Sequence, residues 1–125
     1  MIVMAPISVG ELIDKITILQ IKQTKITDES KLVNIHRELQ ELLYIFDNLD
    51  IPNVIERTDR LRQINAELWD IEDFKRQCEQ NRSFDAKFIQ AAREVYIKND
   101  LRAHLKRDIN EQCGSTIVEE KSYKT

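Results

Sequence analysis

Glycine and proline are confined to four positions of this 125-residue chain. They are Pro6, Gly10, Pro52 and Gly114. Because both residue types interrupt helices, their placement leaves two long uninterrupted stretches, 11–51 and 53–113. The pattern predicts an all-α protein. It excludes a glycine-rich phosphate loop, an Asn-Gly hairpin and the sharp strand-to-helix turn that presents a catalytic serine.

Apolar residues recur at intervals of three and four positions in four segments of the chain. The predicted helices span about 9–26, 28–49, 53–81 and 85–113. Pro52 separates the first pair from the longer second pair, so the spacing predicts two antiparallel helical hairpins of unequal length in a single helical domain, 1–125. The β-prone runs at 2–4 and 116–118 are open to two interpretations, as short strands or as frayed ends.

The first helix begins with a strong start signal and is apolar on two sides. Ser8 and Glu11 have the spacing of a capping box, in which each side chain accepts a hydrogen bond from the other residue's backbone amide. Ile18 and Ile21 lie away from the apolar stripe that begins at Leu12. The second apolar side can therefore meet another helix of the same chain or a second copy of the protein.

Polar residues interrupt the apolar face of the fourth predicted helix at Asn99, Arg102 and Lys106. On the third helix, Asn65 and Glu72 fall beside the apolar stripe in the same way. Antiparallel packing would bring the two groups near each other. A buried guanidinium is costly unless a carboxylate meets it, so we predict an ion pair between Arg102 and Glu72.

These five polar positions have two interpretations. In the first they are ligand-binding residues, with Arg102 and Lys106 holding a phosphate or carboxylate and Asn99 fixing its orientation. In the second they are structural, setting the register of the helices or facing water beyond the partner helix. No catalytic residue, metal ligand or cofactor is predicted.

Charge and cysteine content limit the classes of partner. The net charge is -3, and no segment is basic enough to favour a nucleic-acid partner. The apolar start at 1–5 has no basic flank and is too short for a signal peptide or a membrane span. Cys78 and Cys113 are far apart and are expected to be thiols. We therefore expect a cytoplasmic protein that does not associate with membranes.

Four segments of the chain resemble a small family of uncharacterised bacterial proteins, known as a domain of unknown function. The segments are SVGELIDKITIL at 8–19, NAELWDIED at 65–73, NDLRAHLKR at 99–107 and VEEKSY at 118–123. The resemblance covers nearly the whole chain. It implies an association with surface-polysaccharide or glycosyltransferase genes and supplies no catalytic residue. It also implies that the tail belongs to the folded unit.

Two functions from different classes follow from these features. The first is a non-enzymatic helical interaction or assembly protein that acts as a homodimer, through the two-sided first helix or the long hairpin, and that can also bind another protein. The alternative is a small enzyme or binding protein for an anionic metabolite, such as a phosphate, a carboxylate or a sugar nucleotide. Its pocket would lie between the long helices, around the five polar residues.

Overall fold

The computed structural model describes residues 1–122 and contains four α-helices in that range. They are α1 (Val9–Lys25), α2 (Glu29–Asp47), α3 (Ile55–Asn81) and α4 (Ala86–Cys113). The all-α prediction is confirmed, and the observed bounds lie close to the predicted ones. Neither 2–4 nor 116–118 forms a strand within the described chain. No helix of residues 1–122 has an apolar stretch long enough to cross a membrane.

The helix ends are fixed by local chemistry that the sequence shows in part. Ser8 Oγ accepts a hydrogen bond from the Glu11 amide at 3.1 Å, as the capping box predicts. The Asp85 side chain caps α4. Gly114 has φ +66° and ends that helix in the left-handed conformation, as predicted. Arg82 ends α3 in the same conformation with φ 51°, which its residue type does not favour.

α1 is the central helix of the molecule. It packs against α2 on one side and against both α3 and α4 on the other, whereas α2 packs against α1 alone among the helices of residues 1–122. The side toward α2 buries Leu12, Ile16 and Leu19 of α1 with Ile35 and Leu39 of α2. Both apolar sides of α1 are thus covered by helices of its own chain.

α3 and α4 pack against each other and form the long hairpin, and a second apolar cluster holds α1 to it. Ile13 packs there among side chains of α3 and α4, including Leu61, Leu68, Leu105 and Ile109. Since α3 has 27 residues and α4 has 28 against 17 in α1, the long hairpin continues past the central helix.

The part of the long hairpin that contains its turn, residues 74–97, is the distal hairpin. Its only buried side chains are Cys78 and Ala91. Both apolar clusters lie outside 74–94, and only Val95 of the distal hairpin packs against one of them. The distal hairpin is therefore the most thinly packed helical region of the long hairpin.

Candidate functional site

A polar stripe runs along α1 beside its apolar residues. Gly10, Asp14 and Thr17 follow one another at intervals of four and three positions, so they share one side of the helix. All three are buried, and Asp14 is only 1% exposed. Thr17 Oγ1 donates to the backbone oxygen of Asp14 within α1 at 2.8 Å, and the other hydrogen bonds of the stripe are made with α3 and α4, which that side of the helix faces.

Asp14 is the centre of the resulting network. Arg102 Nε donates to Asp14 Oδ1 at 2.9 Å, and a second guanidinium nitrogen donates to Oδ2, which makes the pair bidentate. Asn65 Nδ2 donates to Asp14 Oδ1 at 2.9 Å and to Thr17 Oγ1 at 3.0 Å. Asn99 Oδ1 accepts from Arg102 at 3.4 Å. The hydrogen bond to Asp14 raises the pKa of Arg102, although burial opposes it.

The predicted ion pair between Arg102 and Glu72 is wrong. Arg102 binds Asp14 of α1 instead, and Glu72 pairs with Lys75 on its own helix at 3.5 Å. The physical reason is that α1 lies against the hairpin and brings a fully buried carboxylate to Arg102. Glu72 still lines a groove of about 340 Å³ together with Asn65 and Arg102.

Lys106 forms a second charged group one helical turn after Arg102. Its Nζ donates to Glu11 Oε2 at 2.6 Å and to Glu119 Oε2 at 2.8 Å. The Glu11 carboxylate therefore binds Lys106 of α4, whereas a capping box would direct it to the Ser8 amide. Burial lowers the pKa of Lys106, but the hydrogen bonds to the two carboxylates outweigh it and the pKa is raised. Lys106 therefore keeps its proton at neutral pH and is a poor nucleophile or base.

The start of α1 rests on the end of α4. The Gly10 amide donates to Asn110 Oδ1 at 2.6 Å, and the Val9 amide donates to Ser115 Oγ at 3.4 Å. A Cβ atom on Gly10 would lie 2.5 Å from the backbone oxygen of Lys106. Position 10 therefore requires glycine, because α1 and α4 approach each other closely there. The sequence showed only that Gly10 lies in a capped first turn.

The tail after α4 joins the same region. Glu119 reaches Lys106, and Glu120 pairs with Arg107 at 3.0 Å. These contacts agree with the prediction that the tail is part of the folded unit, as far as Glu120. Tyr123, the last residue of the matching segment, lies outside the described residues.

We call the whole network the polar cluster. It comprises Glu11, Asp14, Thr17, Asn65, Asn99, Arg102, Lys106 and Glu119. Three carboxylates in it face two cations, and no buried side-chain nitrogen or oxygen of residues 1–122 lacks a hydrogen-bond partner. The cluster thus ties α1, the hairpin and the tail together, and each of its two cations is already paired with at least one carboxylate.

Four of the five predicted site residues lie in the polar cluster. Asn65, Asn99 and Arg102 meet around Asp14, and Lys106 contacts other partners on the same helix. The sequence reasoning missed Asp14, whose signal was a carboxylate inside an apolar stretch at helical spacing from Gly10 and Thr17. Within residues 1–122, no three His, Cys, Asp or Glu side chains are grouped to hold a metal ion.

The distal hairpin carries a different feature, a set of exposed apolar side chains. They are Phe74, Phe84, Ile89, Tyr96 and Ile97, which are 37% to 57% exposed. Phe84 also stacks edge-on against Phe88, with ring centroids 5.1 Å apart. Single exposed apolar residues are common on protein surfaces, but here five fall within one segment, 74–97.

Comparison with known proteins places the chain in a family without assigning a role. Residues 3–125 match the model of a family of unknown function, DUF6165, and the chain belongs to that family. No curated protein and no solved structure matches the chain.

Proposed function

We propose that this protein is a non-enzymatic helical assembly module that forms a homodimer through the distal hairpin. The observation that carries the proposal is the contrast within that segment. Its only buried side chains are Cys78 and Ala91, while five large apolar side chains are exposed. A pair of helices normally buries its apolar stripes against a further layer, which a second copy would supply.

The arrangement of side chains on α4 supports a helix-packing surface there. Ile89 and Tyr96 are seven positions apart and so lie on the same side of α4. They are 57% and 54% exposed, whereas Ala91 on the inner side is 6% exposed. An exposed apolar side of this kind can pack against the apolar stripe of another helix.

The charges of the distal hairpin favour a second copy as the partner. Acidic residues such as Glu79 and Glu94 alternate with basic ones such as Arg82 and Arg93. Two copies related by a two-fold axis can place opposite charges against each other. A strongly acidic or basic partner would find no such match.

A matched pair of variants tests the proposal by light scattering coupled to size-exclusion chromatography. Ile89→Arg places a charge in the proposed interface, and Val33→Arg places one at an equally exposed site on α2, since both side chains are 57% exposed. We expect the unchanged protein and Val33→Arg to be dimers and Ile89→Arg to be a monomer. Because both sites face water in a single chain, each change should alter the free energy of unfolding of the monomer by no more than about 0.5 kcal/mol. A dimeric Ile89→Arg would refute the distal interface.

The anion-binding alternative is supported by the groove of about 340 Å³ that Asn65, Glu72 and Arg102 line. It is weaker because Arg102 is already neutralised by Asp14, and the groove also contains acidic residues. A thermal-shift assay with inorganic phosphate and a sugar nucleotide separates the two functions. An assembly module should show no rise in Tm, whereas a saturable rise would favour the alternative.

We place the assembly role in the cytoplasm, beside the products of surface-polysaccharide or glycosyltransferase genes. The placement is supported by two free thiols, Cys78 and Cys113, which a reducing compartment preserves. The gene association is supported by the sequence resemblance alone. Cell fractionation tests the location, and recovery of the native protein outside the cytoplasmic fraction would contradict it.

A further inference from the structure

One side of α4 carries two exposed side chains of opposite charge, Arg93 and Asp100. Neither of them forms an ion pair within residues 1–122. They are seven positions apart, so they lie on the same side of the helix but about 10 Å from each other along its axis. That separation is too long for a direct ion pair. Each of the two charges is therefore open to a partner from outside the chain.

The same side of α4 carries exposed apolar side chains. Ile89 and Tyr96, which are 57% and 54% exposed, flank Arg93 at intervals of four and three positions. Ile109 is fully buried, and it lies on the opposite side of the helix, about 200° around the axis from Ile89. This side of α4 is therefore turned away from the core. We call it the outer stripe, with Ile89, Arg93, Tyr96 and Asp100.

A groove of about 920 Å³ continues the outer stripe toward the end of α4. Its lining includes Tyr96, Asp100 and Ala103 of the helix, together with 119–121 of the tail. Ala103 is fourteen positions after Ile89, which places both on nearly the same side of α4. Because the alanine side chain is small, the groove has room there for a large apolar side chain from another molecule.

Two-fold symmetry limits how two outer stripes can meet. If the two α4 helices run in the same direction, each residue faces its own copy, and Arg93 meets a second Arg93. If they run in opposite directions, Arg93 of each copy can face Asp100 of the other, so the same ion pair forms twice. Opposite charges are therefore matched by an antiparallel arrangement and not by a parallel one.

The register that pairs these charges also brings apolar side chains together. When Arg93 faces Asp100, the two-fold axis passes between positions 96 and 97, so Tyr96 of one copy faces Ile97 of the other. Ile89 then lies opposite 103–104 of the second copy, where the groove is open. The charges and the apolar side chains thus favour one and the same register.

We infer that two copies dock antiparallel along α4, with Arg93 of each copy paired to Asp100 of the other and Ile89 of each seated in the other's groove. The inference rests on the proposed homodimer and names the residues that set its orientation and register. It extends the distal interface along α4 as far as residue 104.

Charge reversal in the full chain tests the inference, with the Kd of the dimer measured by sedimentation equilibrium at low ionic strength. Arg93→Glu places two acids opposite each other at both contacts, and Asp100→Arg places two arginines there, so each should raise the Kd by at least about tenfold. The double variant Arg93→Glu/Asp100→Arg restores opposite charges, and its Kd should return to within about threefold of the original value. The control is Arg37→Glu at an exposed site on α2, which should change the Kd by less than about twofold.

Two outcomes overturn antiparallel docking. One is a Kd that neither single variant changes more than the control does, and the other is a double variant that dimerises no better than the single variants. If either occurs while the unchanged protein is a dimer and Ile89→Arg is a monomer, the antiparallel register fails and the distal homodimer stands. If the unchanged protein is a monomer, or Ile89→Arg stays dimeric, the proposed homodimer fails and the inference fails with it.

Discussion

At the scale of single residues, we expect the pairing of Arg102 with Asp14 to contribute strongly to stability. Asp14 is 1% exposed, so removing the guanidinium leaves a buried carboxylate without a cation. Arg102→Gln should lower the free energy of unfolding by about 3 kcal/mol. Glu72→Gln is the matched control and should cost no more than about 0.5 kcal/mol, because Glu72 is partly exposed and pairs along its own helix. Urea unfolding measures the free energy of unfolding of both variants.

The double variant Asp14→Asn/Arg102→Gln sharpens this test. Since it removes both charges, its loss should be smaller than the sum of the two single losses. Equal losses for Arg102→Gln and Glu72→Gln, or additive losses in the double variant, would contradict the Asp14 pairing.

A second prediction for a single residue concerns Gly10→Ala, for which the sign of the change in the free energy of unfolding is informative. An alanine inside a helix usually stabilises it by about 1 kcal/mol relative to glycine. At Gly10, however, the added Cβ would lie 2.5 Å from a backbone oxygen of α4. Gly10→Ala should therefore destabilise the protein by about 1–3 kcal/mol.

Gly114→Ala is the control for Gly10→Ala. Position 114 has open space but φ +66°, so its cost should be about 1 kcal/mol and should come from the backbone alone. Only Gly10→Ala should also expose the amides at the start of α1 to faster hydrogen exchange. A stabilised Gly10→Ala would show that the two helices do not need their close approach.

For single residues, the sequence predicted which positions carry the polar side chains of the cluster better than it predicted their hydrogen-bond partners. Asn65, Asn99 and Arg102 were found because they interrupt apolar stripes on two helices. Their common partner, Asp14, lies on a third helix, and helical spacing alone does not show which helix packs against the hairpin. The Arg102–Glu72 prediction failed for that reason.

At the scale of elements, the position of α1 explains both what was predicted and what was not. Breakers and apolar spacing predicted four helices close to their observed bounds, because those signals are local. The two-sided pattern of α1 also predicted burial on both sides. Which element covers each side depends on the packing of the whole chain, and α2 and the long hairpin divide the two sides between them.

The tail gives a pH prediction for an element. The hydrogen bond from Lys106 lowers the pKa of Glu119 below its ordinary 4.5 in the folded protein. A carboxyl group with a lowered folded pKa adds stability above pH 4.5, which is lost as the pH falls through the folded value. Intrinsic amide exchange slows as the pH falls, so the protection of residues 115–122 must be taken relative to the intrinsic rate, and this protection should decrease as the pH falls below 4.5. Glu119→Gln should already exchange fast at pH 6.

The Lys106–Glu119 contact also has an upper pH limit, which is set by Lys106. Its pKa is raised above 10.5, so its contribution is complete below pH 10.5 and is lost as the pH rises through the folded value. A tail whose protection does not change below pH 4.5 would contradict the Lys106–Glu119 contact.

At the scale of the whole molecule, two ends of the long hairpin carry apolar surface that a single chain leaves open. The distal hairpin exposes Phe84 and Ile89 at one end, and the segment before α1 exposes Ile2 and Val3 at the other. The polar cluster between them is satisfied within the chain. The proposed self-association would cover exposed apolar surface that the folding of one copy leaves in water.

The mass of the unmodified protein in solution is the most direct test of this assembly role. Sedimentation equilibrium over a wide range of concentrations, at neutral pH, distinguishes a chain of 14.8 kDa from its dimer. Self-association predicts a mass of twice that value at high concentration, falling toward 14.8 kDa on dilution if the dimer is weak. A mass that stays at 14.8 kDa at the highest concentration would contradict it.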